Sequence, residues 1–499
     1  MSRHAGPGPA TDGPGAGSPA PGGGAPAAGP VFGKALAARP TPIPGVVLFD
    51  LPVHGDSRGW FKENWQREKM AAAGLPDFGP VQNNISFNET AGTTRGIHAE
   101  PWDKFISVAT GSVFGAWVDL RAGDSFGAVF TAVIDPSTAV FVPAGVGNAF
   151  QTLQDNTAYS YLVNDHWSPK AKYTFLNLAD ETVNIPWPIP LEGAEVSAKD
   201  RAHPRLSGVE PMHGKRTLVL GANGQLGRAL QGLYRGEAGV DFLTRTELDL
   251  AAPDPFAGID FSRYDTVINA AAYTSVDAAE TPAGRAAAWA VNATAVAMLA
   301  RACTEHRATL VQLSSDYVFD GTVTVHGEDE PLSPLGVYGQ SKAAGDTAAA
   351  TTPRHYLLRT SWVIGEGSNF VNTMAALAAR GIEPQVVNDQ HGRLTFTEDL
   401  AAAIHHLLTT GAPHGTYNIS NTGPVQTWAD IAADTYELLG HPRTMVTGIP
   451  AAQYFADKPN AAPRPTHSTL NLSKLQHTGY TPPPAHQRLA QHLSARREP

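Results

Sequence analysis

Three glycines, at 221, 224 and 227, lie between a short apolar run and a stretch with helical periodicity, and they constrain this chain more than any other feature. The segment reads Thr217-Leu-Val-Leu-Gly-Ala-Asn-Gly-Gln-Leu-Gly-Arg-Ala-Leu230. Strand, glycine turn and helix in that order make a nucleotide cradle. Gly221 permits the sharp turn, Gly224 lets the backbone approach a pyrophosphate, and Gly227 lets the helix pack close to the strand with its N-terminus facing the phosphates. The cradle extends over Asn223, Gln225 and Leu226. A glycine triplet alone is a weak motif, so its setting matters. Beyond it, apolar runs at Val240–Leu243, Thr266–Asn269, Leu310–Leu313 and Tyr356–Arg359 alternate with alanine-rich helical stretches such as Ala286–Cys303. That alternation predicts an α/β domain over 215–499, a doubly wound parallel sheet of Rossmann type with a small substrate-binding lobe.

The first part of the chain has a different texture. Residues 1–41 are mostly Gly, Pro and Ala, too little apolar surface to offset ordering entropy, and are expected to be disordered. From 42 to 205, short runs such as Phe105–Ala109, Val113–Leu120, Phe126–Ile134 and Thr157–Val163 are rich in β-branched and aromatic residues and separated by turn residues. They predict an all-β sandwich or barrel. Only Arg67–Ala73 looks helical, and 206–214 looks like a linker.

Composition excludes several classes of function. The formal net charge is −10 and the charged fraction 16%, which argues against a nucleic-acid partner, because such binding needs basic surface. The single cysteine, Cys303, allows no intrachain disulfide and suits a reducing compartment. No apolar run reads as long enough to span a bilayer, and the N-terminus lacks a signal-peptide core. A cytoplasmic protein with no membrane partner is the expectation.

Two further segments bring chemistry to the glycine turn. In Tyr338-Gly-Gln-Ser-Lys342 a tyrosine and a lysine stand four apart, on one helix face. An ammonium beside a phenol favours tyrosinate, so Tyr338 is suited to hand a proton to a carbonyl oxygen as hydride arrives. In Leu313-Ser-Ser-Asp-Tyr-Val-Phe-Asp-Gly321, Ser315 follows an apolar strand and is placed to bond the same oxygen.

These segments, with Ala271-Ala-Tyr-Thr-Ser-Val-Asp-Ala-Ala-Glu280, Arg359-Thr-Ser-Trp362 and Asp389-Gln-His-Gly392, resemble dTDP-4-dehydrorhamnose reductase, an extended short-chain dehydrogenase family. The resemblance covers essentially 215–490. It implies reduction of the C4 ketone of a dTDP-6-deoxy sugar, with NADPH as cofactor and NADH as the second choice. It casts Tyr338 as proton donor, Lys342 as its activator and ribose anchor, and Ser315 as carbonyl partner. Ala270, Ala271 and Ala272 fall to the cofactor and Trp362 to the sugar. Arg245, just past the second strand, is placed to hold a 2′-phosphate. Ser315, Asp346 and Leu394 stand where the family usually has threonine, glutamate and proline.

In the β region, Asp56-Ser-Arg-Gly-Trp-Phe-Lys-Glu63, Val81-Gln-Asn-Asn84, Thr94-Arg-Gly-Ile-His98, Lys104, Tyr161 and Ser197-Ala-Lys-Asp200 resemble dTDP-4-dehydrorhamnose 3,5-epimerase, a cupin-type jelly roll. Protons at C3 and C5 beside a C4 ketone are acidic enough for a base to remove. His98 suits that base, since imidazole titrates near neutral pH. Asp200 would orient it, Lys104 stabilise the enolate, and Tyr161 reprotonate from the opposite face. The resemblance gives Arg58, Glu63, Gln82, Asn84 and Arg95 to the nucleotide. Asn148 replaces a family histidine, and Trp167 replaces a tyrosine that stacks on thymine.

The expected whole is a multidomain fusion: a jelly roll that epimerises dTDP-4-dehydro-6-deoxy-D-glucose at C3 and C5, then a reductase that yields dTDP-L-rhamnose. A homodimer through the jelly roll is a further expectation. No metal is expected: His98 and Glu100 alternate as cupin ligands would, but Asn148 occupies the place of a third. Two alternatives keep the reductase, with a β domain that inverts a single centre or that only binds nucleotide sugar.

Overall fold

The computed structural model describes residues 30–75, 78–167, 171–458 and 461–495. The chain divides into two compact units between Gly214 and Lys215. The expected disorder of 1–29 lies outside the described residues.

The first unit is a jelly roll. One sheet has the order Ala37–Pro40, Val47–Asp50, Thr138–Val142, Lys104–Thr110, Thr157–Val163, Gln82–Asn88. The other runs Thr174–Phe175, Thr93–Ala99, Val146–Thr152, Val113–Asp119, Val129–Ile134, and Glu195–Val196 adds to Thr93–Ala99 in parallel. Two-residue periodicity sorts the side chains between faces. On Val113–Asp119, Val113 and Trp117 enter the inter-sheet core with Ile106, Val140 and Phe150. Phe114, Ala116 and Val118 face the other way, yet are also buried, under Leu176, Leu178, Val183, Ile185 and Val209.

Two expected boundaries change. Ala37–Pro40, assigned to the disordered tail, pairs antiparallel with Val47–Asp50 because its ladder satisfies the backbone of an edge. The expected linker 206–214 is docked on the β unit. Val209 is buried there, and Met212 exchanges backbone hydrogen bonds with Leu120 and Ala122.

The second unit carries a six-stranded, all-parallel sheet in the order Val240–Leu243, Arg216–Leu220, Tyr264–Asn269, Thr309–Ser315, His355–Thr360, Gly415–Ile419. Helices cover both faces. Leu226, Leu230, Leu400, Ile404 and Leu407 pack on one, and Val296, Leu299 and Cys303 on the other. Burial on both sides is why these strands read as continuous apolar runs. Strand order reverses around Arg216–Leu220, whose neighbours are the second and third strands in sequence, so a crevice opens at their carboxyl ends. A smaller lobe forms around Phe370–Ala379, Trp428–Leu438 and Ala485–Ala495.

The continuous helical run 282–306 is long and apolar enough, by length and composition, to cross a bilayer, contrary to the expectation from sequence. Its face of Ala295, Val296, Leu299, Ala300 and Cys303 packs instead against the parallel sheet.

Candidate active sites

In the second unit a cleft of about 760 Å³ opens at the reversal of strand order. Its walls include Gly221, Asn223, Gly224, Gln225, Leu226, Arg245 and Ala270–Ala272 on one side, and Ser315, Tyr338, Lys342 and Trp362 on the other. Gly221 has φ +81°, and a Cβ there would lie 2.8 Å from the Ala271 backbone, so only glycine lets the two strand ends meet. Gly227 is buried beneath the turn, and a Cβ there would strike the Gly221 carbonyl at 2.2 Å. Gly224 is the N-cap of the helix Gln225–Leu233 and supplies no side chain to cap it. The first amides of that helix are therefore left for an anion. These features fit a dinucleotide. Arg245 stands at the rim, 85% exposed, with Asp249 Oδ1 3.7 Å from its Nε.

Tyr338 and Lys342 lie on the buried face of the helix Val337–Ala349. The Lys342 ammonium donates to the Leu313 carbonyl at 2.6 Å, and burial lowers its pKa to about 8. Burial pushes Tyr338 up to about 12, the nearby Ser315 hydroxyl acting in the other direction. The phenol is thus not made acidic by Lys342 as the four-residue spacing suggested. Desolvation is the largest influence on the phenol, and the carboxylates of Asp316 and Asp346 add to it. Ser315 Oγ donates to Asp316 Oδ1 at 3.0 Å and accepts from the Tyr317 amide, so it must turn to serve a ketone.

Three contributors here carried no legible signal. Asn292 sits in a π-helical turn, Ala290–Thr294. Its amide donates to the Tyr273 carbonyl and to Ser341 Oγ, and its Oδ1 accepts from the Tyr273 amide. The helix Val337–Ala349 crosses this turn at Gly345, where a Cβ would be 2.1 Å from the Asn292 carbonyl. Such turns recur at functional sites. Asp316 is buried behind Ser315 and raised to about 6 by desolvation. Trp428, from the small lobe, stacks on Trp362 with centroids 3.8 Å apart.

The first unit holds a second cavity, about 500 Å³, inside the jelly roll. His98 Nε2 lies 2.9 Å from Asp200 Oδ1. Ser197 caps the short helix Ala198–Arg201 and fixes the position of Asp200. Across the cavity Lys104, almost fully buried, pairs with Glu100 at 2.8 Å and sits 5.3 Å from the Tyr161 ring. Burial, with Glu100 nearby, raises the Tyr161 pKa. Arg95 and Asn148 also line the wall. Asn148 stands opposite His98 in the strand pairing and accepts a hydrogen bond from Tyr159.

Five expected substrate contacts fall outside this cavity. Arg58, in the exposed hairpin Val53–Lys62, pairs with Asp56. Glu63 pairs with Lys69. Gln82 and Asn84 bond to each other along the edge strand, of which Ser86 alone reaches the cavity among the described residues. Trp167 is 63% exposed and touches Gln82 only through its amide. Their sequence motifs are local, but the fold directs them to the surface of the unit. His203 was not anticipated: its ring faces His98 at 5.3 Å, and its Nε2 lies 3.7 Å from Asp200 Oδ1.

Residues 215–497, more than half of the chain, match the family model described as the RmlD substrate binding domain. The chain belongs to the RmlD family. Residues 40–208 match the model for dTDP-4-dehydrorhamnose 3,5-epimerase, so this RmlD-family chain carries an epimerase-family unit ahead of its reductase-family unit. The first part is 53% identical to a protein from Streptococcus pyogenes named as an RmlC homolog, over 37% of this chain and 96% of that one. The second is 36% identical to dTDP-4-dehydrorhamnose reductase of Aggregatibacter actinomycetemcomitans, over 56% of this chain and 98% of that one. Among solved structures, dTDP-4-dehydrorhamnose reductase from Bacillus anthracis in complex with NADP superposes with a TM-score of 0.52 at 30% identity, covering 56% of this chain and 99% of the other.

Proposed function

We propose that this chain is a bifunctional enzyme of dTDP-L-rhamnose synthesis. The first unit epimerises dTDP-4-dehydro-6-deoxy-D-glucose at C3 and C5, and the second reduces the C4 ketone with NADPH. One observation supports this reading above the rest: a base dyad, His98–Asp200, and a proton donor with its ammonium, Tyr338–Lys342, occupy separate cavities of one polypeptide. Both suit the same ketone. His98 withdraws a proton beside it, Lys104 stabilises the enolate oxygen, and Tyr161 returns a proton from the other wall. A nicotinamide cofactor held along Gly221–Gly227 and Ala270–Ala272 would supply hydride to C4. Tyr338 gives the proton to the developing alkoxide, Lys342 holds positive charge beside it, and Ser315 orients the oxygen. Tethering raises the effective concentration of the second site.

The finer associations follow the same line. Ile85 and Phe87 are 68% and 55% exposed on the edge strand Gln82–Asn88, and Phe61 is 69% exposed in the hairpin Val53–Lys62. An apolar sheet edge of this kind is a template for a second copy. Arg58 and Glu63, which do not reach the cavity of their own chain, then have a neighbouring site to serve. A cytoplasmic location suits the buried free thiol of Cys303.

Product NMR after incubation with the 4-keto sugar nucleotide tests the function. Without NADPH, solvent deuterium should enter at C3 and C5; with it, dTDP-L-rhamnose should accumulate. Deuterium at a single position would favour the one-centre alternative, and its absence would reduce the β unit to a binding module.

A further inference from the structure

Base chemistry requires one imidazole and its carboxylate, yet a second imidazole lies beside the dyad, behind the cavity wall. His203 is 9% exposed, and neither of its ring nitrogens is hydrogen-bonded. The Leu176 carbonyl is close enough to act on its charge but not in hydrogen-bond geometry. Leaving such a buried polar group unsatisfied is unfavourable. The ring is also held firmly in place. Phe175 stacks on it at 4.7 Å and meets His98 edge-on at 5.5 Å.

Asp200 stands between the two imidazoles. Its Oδ2 accepts from the Gly96 amide at 3.4 Å. Its Oδ1 faces both rings, 2.9 Å from His98 Nε2 and 3.7 Å from His203 Nε2. Donor atoms of the three residues all lie within 4.8 Å of one another. Bonds of about 2.0–2.2 Å at a tetrahedral angle put neighbouring donors about 3.3 Å apart, between those two separations. Two imidazoles and one carboxylate are a donor set for a borderline ion such as Zn²⁺. His98 is one-third exposed and lines the cavity, which gives an ion and a completing water a way in.

We propose that His98, Asp200 and His203 bind a divalent zinc-like ion, and that the bound ion reversibly switches off proton abstraction by His98. The second half rests on His98 being the epimerase base. In the free dyad, Nε2–H of His98 donates to Asp200, which leaves the Nδ1 lone pair for substrate. Coordination through Nε2 moves the ring proton to Nδ1, so the lone pair that would accept the C3 or C5 proton is gone. No bond to substrate forms or breaks, and the ion is neither oxidised nor reduced.

The test titrates the full chain, freed of metal by chelation, with Co²⁺ and then Zn²⁺. Binding is read from the visible Co²⁺ absorption and epimerisation from solvent-deuterium incorporation. One tightly bound Co²⁺ per chain should appear with bands of a four- or five-coordinate site, and Zn²⁺ should displace it. Deuterium incorporation should fall at least ten-fold at saturation and return with chelator. His203→Phe, which keeps the ring stack on Phe175, should retain metal-free deuterium incorporation and lose the bands; His203→Gln should do the same where the phenylalanine variant folds poorly. Absence of Co²⁺ bands in the wild type, or equal bands and equal inhibition in both His203 variants, overturns the site. Bands that respond to His203, in a chain that never incorporates deuterium even without metal, would uphold the site and overturn the epimerase reading.

Discussion

The indoles of Trp362 and Trp428 stack with ring centroids 3.8 Å apart and planes 19° from parallel, joining the sheet unit to the small lobe across the reductase cleft. Trp362 holds a left-handed backbone, φ +47°, a conformation that residues other than glycine adopt only under tertiary constraint. Gly392 permits it, because a Cβ there would lie 2.8 Å from the Trp362 ring. Gly392→Ala should displace the indole and raise the sugar-nucleotide KM by about ten-fold, roughly 1.4 kcal/mol. NADPH affinity should be unchanged. Steady-state kinetics and fluorescence titration of the cofactor separate the two effects; equal weakening of both ligands would remove Trp362 from the sugar side.

Asp200 orients His98, and its carboxylate is buried. Asp200→Asn keeps the shape and removes the charge that favours the imidazolium. Solvent-deuterium incorporation should drop about 10²–10⁴-fold, the usual contribution of a positioned base. Reduction of independently epimerised substrate should stay at the wild-type rate. Equal loss of both activities would point to damage to the whole chain.

Lys342, lowered to about 8 by burial, and Tyr338, raised to about 12, set the pH profile of reduction. Reduction needs Tyr338 protonated, which holds throughout neutral pH. It also needs the Lys342 charge, which is present below about 8 and lost above it. The rate should therefore fall as pH rises through that value. Lys342→Met should abolish the inflection and lower kcat about 10²–10³-fold. A profile flat to pH 10 in the wild type would refute the role of Lys342.

Asp316 is fully buried, and its pKa in the fold is about 6, against an ordinary 3.8. The folded chain thus binds more protons than the unfolded chain between about pH 4 and 6, so stability falls as pH rises through that window. Asp316→Asn should recover about 1–3 kcal/mol relative to wild type at pH 7.5 and much less at pH 4. Urea denaturation at the two pH values measures the difference. A variant equally stabilised at both would show that the buried charge is not the cause.

Arg245 tests the cofactor. It is exposed and loosely placed near Asp249, so it gains a partner when a 2′-phosphate arrives. Arg245→Ala should raise the KM for NADPH about ten-fold, roughly 1.4 kcal/mol, and leave that for NADH unaltered. Competition kinetics with the two cofactors decide it.

Local spacing was legible in the sequence. Tyr338 and Lys342 share a helix face because four residues make about one turn, and Gly221, Gly224 and Gly227 read as a cradle because turn, close approach and packing each need a missing Cβ. Alternating runs marked the β unit, since every second side chain of a strand faces the core. What failed was also physical. Ala37–Pro40 has the composition of a tail, and only the exposed ladder of Val47–Asp50 makes it a strand. Arg58 and Glu63 sit in a recognisable motif, and a local motif cannot tell that they do not line the cavity of their own unit.

By itself the amino-acid sequence determined two fold classes and the residue types able to move protons to and from a ketone and its neighbouring carbons, because periodicity and short-range spacing act within a few residues. The tertiary structure alone decided which distant groups meet. It set His98 beside Asp200 across 102 residues of chain, slid His203 in behind them, threaded the Asn292 turn under Gly345 and laid Trp428 on Trp362. Those meetings depend on packed sheets and crossing helices, whose contacts no local pattern encodes.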